Sequence, residues 1–80
     1  MTKEEFLKTL KKEGIHFNLL FQKPHNDVFA YGYYQEDGQY IVFETDERAC
    51  EFLKWNFKTE SEAIDFLLKW LRNQAYIDSL

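Results

Sequence analysis

One cysteine, one proline and three glycines are all that this 80-residue chain has of each, and each scarcity excludes something. The lone Cys50 cannot close an internal disulfide, so the chain is no disulfide-stapled secreted scaffold and suits a reducing compartment. With so few chain breakers and no repeat or low-complexity tract, no linker interrupts it, and residues 1–80 read as one domain. The longest unbroken apolar run is Tyr40-Ile41-Val42-Phe43, far short of the roughly 20 residues that span a bilayer. The opening Met1-Thr2-Lys3-Glu4-Glu5-Phe6 is charged where a secretory signal would be apolar. The expectation is a soluble cytoplasmic protein with no membrane partner.

Catalytic constellations are missing as well. His16, His25 and Cys50 show no metal-ligand spacing. Gly14, Gly32 and Gly38 stand too far apart for a phosphate-binding loop. The sequence therefore reads as a non-enzyme, with no catalytic, cofactor-binding or metal-binding residues.

What the chain does have is aromatic bulk and acid. A domain this small hides only about 60% of the surface its unfolded form exposes, so its core must be dense. Eight Phe, five Tyr and two Trp supply large burial areas per side chain. The formal charge is −4, and it is unevenly spread. Between Glu36 and Glu51 six acids, Glu36, Asp37, Glu44, Asp46, Glu47 and Glu51, face Arg48 alone. Such a stretch repels phosphate backbones and favours basic partners.

Local patterns order the elements. Thr2 with Glu5 fits a capping box, Phe6, Leu7 and Leu10 make one stripe, and Gly14 can cap the end, predicting a helix over 3–13. From Ile15 the period becomes two, with Ile15, Phe17, Leu19 and Phe21 alternating against their neighbours, and this predicts a strand. Lys23 to Asp27 reads as a loop. Strands over 28–35 and 39–45 flank Asp37-Gly38, a strong hairpin signal because both turn positions need positive φ. Residues 49–57 fit either a helix or a strand. The alternation of Leu53, Trp55 and Phe57 favours a strand. Thr59 with Glu62 opens a last helix over 60–73, whose core stripe is Ile64, Leu67, Leu68 and Leu71, with Phe66 and Trp70 on a second apolar side. The expected class is α+β: helix, four-stranded antiparallel meander, helix, with both helices on one sheet face.

The hairpin register divides the strands into two faces. Ala30, Gly32 and Tyr34 fall with Ile41, Phe43 and Thr45, and the small residues among them invite a close-packed helix. The other face carries Phe29, Tyr31, Tyr33, Tyr40, Val42 and Glu44. Aromatics on a sheet can stack nucleic-acid bases, but that needs a positive groove, and here Glu44 and acidic turns stand in its place. Direct nucleic-acid binding is thus disfavoured, and a protein partner fits better. Its candidate contacts are Tyr31, Tyr33 and Tyr40 as apolar anchors with Glu44, Asp46 and Glu47 meeting basic groups. An edge strand and the second side of the last helix also leave a homo-oligomer open.

The run Tyr40-Ile41-Val42-Phe43-Glu44-Thr45-Asp46-Glu47-Arg48, followed by Phe57, Glu60-Ser61-Glu62-Ala63 and Phe66-Leu67-Leu68, resembles a family of small immunity proteins of bacterial polymorphic toxin systems. The resemblance covers roughly residues 40–72. Where that family's turn usually carries Gly, this chain has Ala49. The resemblance implies a stoichiometric inhibitor, without catalytic residues or cofactors, that binds and neutralises a cognate protein toxin. A basic nuclease would suit the acidic charge. The alternatives are a phage-type inhibitor of a host nucleic-acid-binding defence protein and a small protein-binding adaptor.

Overall fold

A computed structural model describes all residues, 1–80. The fold is α+β, with elements in the order α1 (Lys3–Glu13), β1 (Asn18–Leu20), β2 (Ala30–Glu36), β3 (Gln39–Thr45), β4 (Glu51–Phe57) and α2 (Glu60–Asp78). The four strands form one sheet in the order β1-β2-β3-β4. No helix is long and apolar enough to cross a membrane.

Both helix starts are built as their residues dictate. Thr2 accepts from the Glu5 amide while Glu5 accepts from the Thr2 amide, a full capping box; Thr59 accepts from the Glu62 amide, but the Glu62 carboxylate accepts from the Thr59 hydroxyl rather than its amide, so only half of the second box forms. Gly14 closes α1 in the left-handed conformation. The last helix runs five residues past the expected Asn73, because neither Gly nor Pro follows to stop it.

The hairpin turn has positive φ at Asp37 (52°) and Gly38 (75°), as a tight primed turn requires. This sets Tyr33 opposite Val42, Tyr34 opposite Ile41 and Gly32 opposite Phe43, the expected register. The ambiguous segment 49–57 is a strand, starting at Glu51. It pairs antiparallel with β3, and Phe52 is the extra residue of a bulge between the Glu44–Leu53 and Thr45–Glu51 pairs.

The meander expectation fails at the first pair. β1 runs parallel to β2, with Asn18 opposite Ala30 and Leu20 opposite Gly32, and it is three residues long rather than eight. The nine-residue link 21–29 carries the chain back to the start of β2 instead of turning as a hairpin. Parallel pairs ordinarily need a longer crossover, but a strand of three residues has only about 10 Å to return. The link is fastened at its far end: the Thr45 hydroxyl donates to Asp27 O and accepts from the Ala30 amide, both at 2.8 Å. Where the chain leaves β1, the Leu20 carbonyl occupies the space a side chain at residue 32 would fill. Gly32 therefore makes room for a crossing backbone, and no helix lies there.

The expectation of both helices on one sheet face holds only for α2, which covers the face opposite to the one the small residues suggested, whereas α1 packs on α2. Phe6 and Leu10 of α1 and Ala63, Ile64, Leu67, Leu68 and Leu71 of α2 form a single cluster with Tyr33 and Val42. Ile15, Phe17, Leu19 and Phe21 pack against it, so their period of two holds even where no ladder forms. α2 lies on β2, β3 and β4, whereas α1 lies beside α2, held by two hydrogen bonds from the Arg72 guanidinium to Glu13. Phe66 and Trp70, the second side of α2, pack on Trp55 and Phe57 of β4, with ring centroids 4.8 to 5.1 Å apart.

Candidate functional site

Four of the six residues expected to meet a partner lie on the helix-covered face. Tyr33 is only 4% exposed, sits edge-on to Phe21 at 5.3 Å and donates its hydroxyl to Glu60 at 3.1 Å. Tyr31 packs against Phe17 with ring centroids 4.9 Å apart and planes tilted by 57°, and burial raises its phenol pKa, helped by the negative charges of Glu44 and Asp78. Tyr40 packs half-buried against the main core. Glu44 accepts a 3.0 Å hydrogen bond from the Trp70 indole. Tyr33 and Glu44 hold the sheet to α2, and Tyr31 holds it to the link between α1 and β1. The expectation that they form an exposed aromatic face is corrected: an aromatic face is what a chain this short most needs to cover, and α2 covers it.

The acids do not gather into one patch either. Glu36 and Asp37 stand at one end of β3 and Asp46 and Glu47 at the other, separated by a seven-residue strand of roughly 20 Å. Glu36 lies 3.8 Å from Lys23, and Glu51 accepts from the Tyr34 hydroxyl at 2.9 Å.

At the β3–β4 end the backbone takes an unusual course. Asp46 Oδ1 accepts from the Arg48 and Cys50 amides at 2.8 and 3.0 Å, and these bonds hold its carboxyl below the usual range. Asp46 is therefore the residue that shapes the turn. The turn needs a left-handed residue to close, and Ala49 supplies it with φ of 63°. The Phe29 amide donates to the Asp46 carbonyl at 3.2 Å, tying the start of β2 to this turn.

Phe29 itself has φ of 49°, a backbone region that bulky L-residues avoid. Its ring is nonetheless 63% exposed. Val28 beside it is exposed too, and Glu47 lies exposed in the adjoining turn. The site at this end is thus an apolar knob, Val28 and Phe29, next to an acidic turn. Sequence reasoning placed Phe29 among the aromatics of one face but could not single it out, since an aromatic residue carries no mark of a left-handed backbone. Glycine or asparagine would have.

Elsewhere the surface shows three shallow grooves. The largest, about 470 Å³, is lined by Phe66, Lys69, Trp70, Arg72 and Asn73, all on α2. Nowhere do three or more His, Cys, Asp or Glu side chains gather as metal ligands would. No family of known proteins, no curated protein and no solved structure matches the chain.

Proposed function

We propose that this protein works stoichiometrically, as an inhibitor that binds one basic protein through the Val28–Phe29 knob and the acidic turn beside it. On this reading it is an immunity protein that neutralises a cognate toxin. A nuclease, basic because it holds nucleic acid, suits the charge. The observation that carries the reading is Phe29. A left-handed backbone at a bulky residue costs about 1–2 kcal/mol, yet the ring remains in water, so folding gains little in return. Strain of this kind concentrates at functional sites. A partner offering an apolar pocket ringed by cations would bury the ring and meet Glu47.

The test starts with a pull-down from the native cell, the bound protein being identified by mass spectrometry. Surface plasmon resonance at two salt concentrations then compares the parent with Phe29→Gly and Glu47→Lys. Phe29→Gly removes both the strain and the anchor. It should raise the melting temperature yet weaken the complex by about 2 kcal/mol or more, mainly through faster dissociation. Glu47→Lys should slow association and reduce its dependence on salt. If both variants bind like the parent, the knob is not the interface.

A further inference from the structure

The sheet ends at β4, whose outer side pairs with no strand. Which of its backbone groups are free follows from the β2–β3 hairpin. Residues flanking a two-residue turn exchange both hydrogen bonds, and bonded and unbonded pairs then alternate along the strands. Gln39 is thus bonded to Glu36, so Tyr40, Val42 and Glu44 turn their amides and carbonyls towards β4, opposite Phe57, Trp55 and Leu53. The Asp46 amide, next in that series, donates to Cys50 O at 3.0 Å. The amides and carbonyls of Lys54 and Asn56 therefore point outward. On the helix side of this edge stand Leu53, Trp55 and Phe57, uncharged and still half-buried although Phe66 and Trp70 pack on the two rings. On the open side Lys54 and Asn56 are exposed. Lys54 lies 3.5 Å from Glu51, and Asn56 Nδ2 donates to Gln39 at 3.0 Å. That bond leaves the Asn56 side-chain oxygen facing outward as an acceptor.

A row of free amides and carbonyls at strand spacing is taken up by another extended strand. A lysine in the middle of an edge ordinarily discourages this, so an occupant must bring an acceptor to Lys54 and an uncharged side to the helix face. A second copy of β4, antiparallel across a two-fold axis normal to the sheet, brings both. Charge then chooses the register, because like charges directly opposite repel. Pairing centred on Lys54 sets that residue against itself, and pairing centred on Asn56 sets it against Lys58. Pairing centred on Leu53 sets it against Phe52, where the bulge breaks the ladder. Only the register centred on Trp55 sets Lys54 against Asn56, on both sides of the axis. Each of those pairs exchanges both backbone bonds, and each ammonium reaches the free Asn56 oxygen. Leu53 then lies opposite Phe57, and the two Trp55 side chains meet on the axis. We infer that the protein forms a two-fold dimer through β4 in this register, joining two sheets edge to edge.

Sedimentation equilibrium of the full chain from about 1 µM to about 1 mM covers the range of a weak contact of this kind. The parent should pass from monomer to dimer. Asn56→Lys places like charges opposite Lys54 and should raise the dissociation constant about tenfold or more, whereas Asn56→Asp should lower it about threefold or more. Position 56 is exposed, and a melting curve verifies that each variant is folded. Amide exchange followed by NMR reads the register directly. Lys54 and Asn56 should exchange fast in the monomer and slow as the dimer forms, while Leu53, Trp55 and Phe57 stay protected throughout. A parent that remains monomeric overturns the proposal. So do Lys54 and Asn56 amides that exchange equally fast at both ends of the concentration range, or position 56 variants that associate like the parent. None of these changes touches Val28, Phe29 or Glu47, so the outcome is separable from that of the inhibitor reading.

Discussion

Tyr33 and Tyr34 are neighbours on β2 that point to opposite faces of the sheet, and they make a controlled comparison of those faces. Their burial is nearly equal, 4% and 5% exposed. Each hydroxyl donates to a glutamate, Glu60 for one and Glu51 for the other. What differs is the cover. Tyr33 belongs to the nine-residue cluster beneath the helices. Tyr34 belongs to a cluster of four, with Ala30, Ile41 and Phe43, against which only Leu20 packs from outside the cluster. On this face the crossing chain at Leu20, the fastened Asp27 and the Glu51 carboxylate on the Tyr34 hydroxyl replace a helical layer. Equal burial can thus rest on unequal packing, and the two tyrosines should respond differently when removed.

The largest effect is expected from truncation. Tyr33→Ala should cost about 3–5 kcal/mol, enough to leave so small a domain mostly unfolded. Tyr34→Ala should cost about 2 kcal/mol, because water can enter the space on a face without a helix. Urea denaturation midpoints decide between them, and equal losses would end the distinction drawn between the faces.

Next comes the crossing at Gly32. Adding a methyl group there forces the Leu20 carbonyl away, so Gly32→Ala should destabilise by about 1–3 kcal/mol. The loss should be accompanied by faster amide exchange in Asn18–Leu20 while the β3–β4 pairing stays protected. Uniform exchange across the sheet would mean that β1 is not separately held.

The hydroxyls give a smaller effect, read through pH. Burial first, then the hydrogen bond to the glutamate, pushes both phenols above the ordinary value of 10.0. Once pH passes about 10 the unfolded chain sheds protons that the folded chain keeps, so stability is complete below that pH and falls above it. The urea midpoint should therefore decline above about pH 10 in the parent, and less steeply in a Tyr33→Phe, Tyr34→Phe double variant. At neutral pH each single change to Phe should cost about 1 kcal/mol. An alkaline decline that the double variant retains in full would point to other groups.

The smallest effect is a gain. Ala49 holds a left-handed turn without glycine's freedom, so Ala49→Gly should stabilise by about 0.5–1 kcal/mol, less any entropy added to the unfolded chain. A thermal melt is sufficient. A lower melting temperature would show that the left-handed backbone carries no strain there.

The sequence by itself determined the local elements. Capping boxes, the Asp37-Gly38 turn and the alternation of strand residues act over a few residues, and they specified α1, the β2–β3 register and the start of α2. Alternation also sorted the residues of β2 and β3 correctly into two sets, because the pleat leaves no other arrangement, but it failed at Phe29, which precedes β2 in a left-handed conformation. Which set would lie under the helices was a matter for the tertiary structure. A pattern of period two is symmetric between faces, and the small residues 30 and 32 fit a crossing backbone as well as a packed helix. The direction of β1 was equally undecided, since it depends on where the 21–29 link is fastened, and Thr45, fifteen residues beyond Ala30, does the fastening. The candidate site followed the same division. Its acids were legible as charge, but their separation to two ends of β3, and the strained exposure of Phe29, arise only when distant segments meet around the Asp46 turn.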